Sequence, residues 1–483
     1  MSRRRLLHIV GAAVAGAGVA MLPSSVVSLI YREWTDAAWI AVAAVVTFVV
    51  GGVMWRVFTR PGELSTSEAF AAVGLAWLAI GVFSSLPYLF SGAITGVTDA
   101  VFEATSGFTT TGASILPDPG ALSHGILFWR STTQWVGGMG IIVMSITILP
   151  KLGMGAVQLA RAESSGPGPD RLTPRFADTA KRLWTIYAGL TLAETLLLWA
   201  GDMTLFEAIN HSFTTMSTGG FGTDAGSLGA FSPFSQWVVV VFMIAGSTSF
   251  ALHYRALRNP LEYVKSFEFR LYMTILGLAS AVMAIGTWGN SGGIDTIRDA
   301  VFTSTSIMST TGYATADFAL WAPALQIGLL GLMFVGGMAG STSGSVKVWR
   351  LDVLYNASWM DVRRLVHPRG VFVTRIGKNP VPDQIVEATQ TFFLLYMFTF
   401  MTGTFLLSIV TSIAGTGVDL PEIASAVATT LGGVGPGLGE LGPAGNFAGL
   451  PAAGKWVLSA VMVVGRLEIL PILILFSREL WKR

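Results

Sequence analysis

Residues 101–114 read VFEATSGFTTTGAS, a short amphipathic stretch running into threonine and glycine. Alone, TTTG is an ordinary turn composition. The pattern returns three times, as LFEAINHSFTTMSTGGFG at 205–222, VFTSTSIMSTTGYAT at 301–315 and, most divergent, EIASAVATTLGGVGPGLG at 422–439. Each copy follows one apolar stretch and precedes another, and the starts lie roughly a hundred residues apart, too far for a small solenoid repeat. That length suits two membrane helices with a re-entrant segment between them. Each motif predicts a half-helix of about two to three turns, then an extended strand. Non-helical backbone survives at membrane depth only where protein buries it or it lines a wet cavity. Four such segments therefore predict four walls around one aqueous axis. The half-helices would aim their carbonyl ends, the negative ends of their dipoles, at a cation.

The surrounding sequence fits a membrane protein. Mean hydropathy is +0.62, and 52% of the 483 residues are hydrophobic against 12% charged. Soluble proteins carry about 25% charge, which argues against a soluble enzyme. Cysteine is absent, excluding disulfides and thiolate metal sites, and the histidines at 8, 124, 211, 253 and 367 form no ligand cluster. Ten stretches are apolar enough to cross: 6–30, 38–58, 67–90, 124–150, 181–201, 232–254, 269–288, 321–345, 388–413 and 453–476. The N-terminus imitates a secretory leader, but its apolar run continues to Ile30, beyond an ordinary leader core, and reads as a retained helix. The segments near 97–112, 204–219, 298–312 and 421–435 enter and return. Ten crossings then put both termini on one side. Of the 30 basic residues, all but Arg32, Arg130, Arg298, Lys455 and Arg466 fall on that side, which identifies it as the inside. The expected fold is an all-α polytopic membrane protein. Two N-terminal helices (1–62) precede four pseudo-symmetric helix–re-entrant loop–helix repeats, at 63–165, 166–262, 263–375 and 376–483, around one pore.

A dehydrated monovalent cation needs oxygens in place of its hydration shell, and rings of backbone carbonyls supply them. Turning carbonyls inward asks for backbone conformations that glycine adopts freely. Gly112, Gly219, Gly312 and Gly435 are the candidates, with Gly433 the alternative in the fourth motif. They follow Thr110–Thr111, Ser217–Thr218, Thr310–Thr311 and Gly433–Val434. Asp99, Glu103, Asp118, Asp202, Glu207, Asp224, Asp295, Asp299, Asp317, Asp419, Glu422 and Glu440 all fall on the outer side, where they would gather cations or cap half-helices. Glu103 and Glu207 read as matching positions in their repeats, as do Asp99 and Asp295. His124, Arg130 and Gln134 read as interfacial or packing groups, and Glu194 receives no role.

The four glycine-bearing motifs, the repeated helix pairs and the run Gly465-Arg466-Leu467-Glu468 resemble the Trk/Ktr/HKT potassium transporter superfamily, closest in its TrkH-like branch. The resemblance spans Thr66 to Phe476. It implies a single-layer filter with one glycine per repeat, the carried potassium meeting Thr111–Gly112, Thr218–Gly219, Thr311–Gly312 and Val434–Gly435. Glycine in the first repeat, where sodium-preferring plant relatives carry serine, implies potassium preference. The fourth repeat departs from the pattern, lacking the asparagine and Ser/Thr often found before the glycine.

Charge inside a membrane span is a functional signal. For Arg466 the resemblance implies a pore barrier below the filter; otherwise it would lock helices together. Glu468 reads as structural, with Lys347 or Arg350 as plausible partners. Residues 332–345, LMFVGGMAGSTSGS, hold Gly336, Gly337, Gly340, Ser341, Thr342, Ser343 and Gly344 where a helix should cross. The resemblance implies an intramembrane gating loop there. It further implies a homodimer and a cytoplasmic ring of nucleotide-binding regulatory subunits, since this chain has no nucleotide motif of its own. The basic inner connections, about 151–180, 255–268 and 347–387, suit anionic lipid. No cofactor, nucleic acid or enzymatic constellation is implied. A proton- or sodium-coupled symporter is the competing mechanism, with Glu468 its one titratable candidate; the expected location is the bacterial inner membrane, with both termini cytoplasmic.

Overall fold

The computed structural model describes residues 3–58, 65–147, 176–289, 293–370, 372–377 and 379–477. Most of the basic connection 151–180, and the expected boundaries at 62/63 and 165/166, lie outside these residues. Helices α1 (Arg3–Ile30) and α2 (Trp34–Val57) form an N-terminal hairpin. They pack closely because Gly51 has no side chain: a Cβ there would lie 2.3 Å from the Ala15 amide nitrogen.

Helix α3 (Thr66–Phe83) follows and continues into the short α4 (Leu86–Ser91). The first half-helix is α5 (Val97–Phe108), and α6 (His124–Thr147) leads away from it. The second repeat comprises α7 (Phe176–Ala200), half-helix α8 (Leu205–Met216), α9 (Pro233–Ser247) and α10 (Phe250–Ala256). After the short α11 (Leu261–Lys265), the third has α12 (Phe267–Thr287), half-helix α13 (Gly293–Met308), α14 (Pro323–Leu332) and α15 (Val348–Val366). A two-stranded ribbon, β1 (Arg375–Ile376) with β2 (Asn379–Pro380), leads to α16 (Asp383–Ala414). Half-helix α17 (Leu420–Gly432), α18 (Ala452–Arg466) and α19 (Leu470–Phe476) complete the fold.

Six helices among the described residues are long and apolar enough to cross a membrane, and two bent pairs bring the number to eight. The bends correct the sequence reading, which took 232–254 and 453–476 as continuous spans. The first pair turns by 104° between Ser247 and Phe250, the second by 117° between Arg466 and Leu470. At the second break Glu468 and Ile469 have φ of 55° and 67°, and Pro471 sits where proline favours the start of a new helix. The expected span 321–345 also stops short, since helix ends at Leu332 and resumes only at Val348.

Candidate functional site

The four half-helices end alike. After the last turn comes a residue in the left-handed region: Thr110 (φ 51°), Thr218 (φ 53°), Thr310 (φ 61°) and Gly433 (φ 68°). The next amide reaches back five positions, from Thr111 to Ser106 O, Gly219 to Thr214 O, Thr311 to Ser306 O and Val434 to Thr429 O, at 2.8–2.9 Å. This is the long bond of a Schellman ending. It fixes the register between repeats. One residue further, Gly112 (φ 83°), Gly220 (φ 74°), Gly312 (φ 85°) and Gly435 (φ 111°) again have positive φ.

That register corrects the second motif. The sequence reading chose Gly219, but the backbone puts Gly220 in the position of Gly112, Gly312 and Gly435. Gly219 stands with Thr111, Thr311 and Val434. The run Ser217-Thr218-Gly219-Gly220 offers two adjacent glycines, and only the backbone angles separate them. In the fourth motif Gly435 keeps the glycine position. Gly433 stands where the other repeats hold a threonine in a conformation costing β-branched residues about 1–3 kcal/mol.

Each of these glycines presses on a carbonyl of the following strand. A Cβ on Gly112 would lie 2.2 Å from Gly219 O, on Gly220 1.8 Å from Thr311 O, on Gly312 1.9 Å from Val434 O and on Gly435 2.9 Å from Thr111 O. The sequence of contacts closes on itself, so the four strands form a ring. All four glycines line one cavity of about 160 Å³, together with Arg130, Asp224 and Asn446.

Side chains behind the ring hold it. Thr109 and Thr111 hydroxyls meet at 2.8 Å, as do those of Ser309 and Thr311. Gly219 removes that pair from the second strand, and Gln134 takes over: its Nε2 donates to Gly219 O at 2.8 Å and its Oε1 accepts from Phe221 N at 3.1 Å. Arg130 donates to Glu103 Oε1 at 2.6 Å, to Gly222 O at 2.9 Å and to Ser114 Oγ at 3.1 Å. Glu103 also accepts from Ile115 N at 3.0 Å. This buried pair ties the first half-helix to the first two strands. The reading of Arg130 and Gln134 as interfacial or packing groups named none of these partners, because they lie far away in sequence. Removing one partner would strand the other charge, at a cost of about 3–5 kcal/mol. Glu103→Ala and Arg130→Ala are each expected to lower the thermal unfolding midpoint in detergent sharply. A midpoint within a degree or so of wild type would show the pair to be dispensable.

The acidic residues also change register. Asp99, Glu207, Asp299 and Glu422 stand equally far ahead of their glycines, whereas Glu103 aligns with His211 and not with Glu207. Asp295, paired earlier with Asp99, gives way to Asp299. Glu207 and Glu422 close capping boxes with Thr204 and Asp419. Asp99 accepts from Lys455 at 2.6 Å and Asp299 from the Thr315 hydroxyl at 2.9 Å. Negative charge near the N-terminal end of each half-helix favours its dipole.

On the other side of the ring lies the non-helical segment 333–347. Its ends are zipped by Gly336 N to Val346 O at 2.9 Å. Gly344 N donates to Thr310 Oγ1 at 2.7 Å, Thr342 Oγ1 donates to Met216 O at 3.1 Å, and a Cβ on Gly344 would lie 2.0 Å from Gly432 O. The loop therefore abuts the ends of the second, third and fourth half-helices. Gly337 N donates to Ser343 Oγ at 2.9 Å, Ser341 Oγ lies 3.0 Å from Ser343 Oγ, and Lys347 Nζ donates to Ser343 O. Gly340 O accepts from Phe250 N at 3.1 Å. Arg466 Nη1 donates to Thr342 O at 2.8 Å, while its Nε and Nη2 meet no hydrogen-bond partner among the described residues. Arg350, not Lys347, is the partner of Glu468, at 2.5 Å.

A multi-pass chain whose broken helices and re-entrant strands converge on one ring is built as a membrane transport protein. The sequence matches the TrkH cation transport protein family over residues 38–274 and 291–483. The chain belongs to that family, and is not an enzyme. It is 38% identical to the Trk system potassium uptake protein TrkH of Salmonella typhimurium and 37% identical to that of Escherichia coli, each match covering 100% of both chains. Its fold matches the crystal structure of the potassium transporter TrkH from Vibrio parahaemolyticus with a TM-score of 0.90, at 37% identity over 100% of both chains.

Proposed function

We propose that this protein carries potassium across the bacterial inner membrane, with both termini cytoplasmic, through the ring at Gly112, Gly220, Gly312 and Gly435. The closed circuit of glycine-to-carbonyl contacts carries this reading. It brings oxygens from all four strands to one level, the arrangement that replaces a hydration shell. The relatives named for potassium uptake match it end to end. The segment 333–347 is the gate, directly inward of the ring. Arg466 is the barrier: it is buried beside the gate, donates to Thr342 O, and keeps two guanidinium nitrogens without a hydrogen-bond partner among the described residues. The alternative, proton coupling at Glu468, is weakened by that carboxylate's engagement with Arg350.

The gate leads into α15, whose exposed Tyr355, Trp359, Leu365 and Val366 offer a handle to a cytoplasmic regulatory partner. In this reading a nucleotide-binding ring moves that helix, and two copies of the chain form a homodimer with one pore each. The purified chain in proteoliposomes should pass potassium or rubidium in clear preference to sodium, without requiring a pH or sodium gradient. Equal sodium flux, or flux that vanishes when the proton and sodium gradients are collapsed, would overturn the reading.

A further inference from the structure

The loop 333–347 sits in the break of the second repeat. Where α9 ends, its last carbonyls have no partner within the helix, and where α10 begins, its first amides have none either. The loop serves both. Met338 N donates to Ser247 O at 2.9 Å, and Thr342 reaches Gly246 O with its amide at 3.2 Å and its hydroxyl at 2.9 Å. In the other direction Phe250 N donates to Gly340 O at 3.1 Å. Gly337 permits the approach, since a Cβ there would lie 2.5 Å from Ser247 O. The 104° turn between α9 and α10 is therefore a seat for the third repeat's loop.

Between these contacts the Ala339 amide donates instead to Glu268 Oε1, at 2.7 Å. Glu268 is buried, in the first turn of α12. A carboxylate accepting from a main-chain amide makes a charge-assisted bond, stronger than a neutral one. Ala339 and Phe267 also pack against an apolar cluster that holds Trp349 and Val353 of α15 and Ile376 of β1. The contact thus stands where the loop, α12 and α15 meet. Inside the loop, Ser341, Ser343 and Lys347 brace one another. A loop so braced leaves its seat as a unit, and its outward bonds decide when.

We propose that Glu268 is a positioning residue for the gate: its carboxylate latches Ala339 and keeps the loop seated in the break of the second repeat. The inference rests on the loop being the gate. Glu268 neither meets the ion nor sets ion preference.

The test uses the full chain in proteoliposomes and reads potassium flux together with the potassium-to-sodium ratio. Glu268→Ala, which removes the acceptor, should raise flux several-fold and leave the ratio unchanged. Glu268→Gln keeps an acceptor oxygen and loses the charge, so it should stay near wild type. Ala339→Pro removes the amide without touching α12. It should raise flux too, and adding Glu268→Ala to it should change nothing further. Wild-type flux in a folded Glu268→Ala variant overturns the latch. So does a Glu268→Gln variant as open as Glu268→Ala, since a charge favouring the α12 dipole would explain both. A further rise in the double variant overturns it as well, by placing the effect of Glu268 outside Ala339. Should Glu268→Ala fail to fold, wild-type flux in Ala339→Pro is equally decisive against it. A loop shortened through Ala339 tests the gate reading separately. Wild-type flux there removes the gate itself, whereas raised flux there beside wild-type flux in Glu268→Ala removes only the latch.

Discussion

Serine at Gly220 or Gly312 is expected to lower potassium-over-sodium preference at least tenfold, about 1.4 kcal/mol of discrimination. At both positions φ is positive, and a Cβ would come within 2 Å of a backbone oxygen on the next strand. A backbone oxygen in a braced ring has nowhere to go, so the strands must part. The damage should follow these clearances. Gly112 comes next, with its Cβ 2.2 Å from Gly219 O, and Gly435 is mildest at 2.9 Å from Thr111 O. Gly219→Ser is the informative control. Its φ is not positive and its Cβ would meet the Gln134 side chain at 2.4 Å, so the strain falls on that brace and its bonds to Gly219 O and Phe221 N rather than on a neighbouring strand's backbone. Flux ratios in proteoliposomes should therefore separate Gly220→Ser from Gly219→Ser, with the larger loss at Gly220. The reverse order would restore Gly219 to the ring.

Shortening residues 338–343 by a few positions is expected to raise potassium flux on the order of tenfold, equivalent to about 1.4 kcal/mol off the barrier. The loop abuts three half-helix ends and is held by Thr310, Met216 and Arg466. If the loop is the gate, shortening it opens the path without touching the four glycines, so ion preference should survive. Arg466→Ala should also increase flux, because it removes a positive charge from the path while leaving the loop in place. A deletion that includes Thr342 should exceed it, since it both shortens the loop and removes the carbonyl that holds the arginine. Wild-type flux and normal regulation in a folded deletion variant would make the segment packing rather than a gate.

The sequence disclosed the membrane fold because apolar length and the positive-inside bias are local, additive signals. Repetition made the four re-entrant segments legible, since no turn composition recurs four times in register by accident. What it concealed were features decided by backbone angle or by distant partners. Two adjacent glycines at 219 and 220 look alike in sequence and differ only in φ. The breaks near Thr248 and Glu468 interrupt helices whose composition alone reads as continuous. Arg130 and Gln134 acquire meaning only when other repeats are folded against them. The Glu468 partner was among two candidates in sequence, and geometry chose Arg350.

The central claim is that a monovalent cation sits within the ring of Gly112, Gly220, Gly312 and Gly435. Anomalous scattering from crystals of the full chain grown in thallous ions, which substitute for potassium, tests it most directly. The account predicts a peak on the ring axis, level with the carbonyls of Thr111, Gly219, Thr311 and Val434, that fades when potassium is added and persists when sodium is added. A ring without a peak, or one emptied as readily by sodium as by potassium, would contradict it.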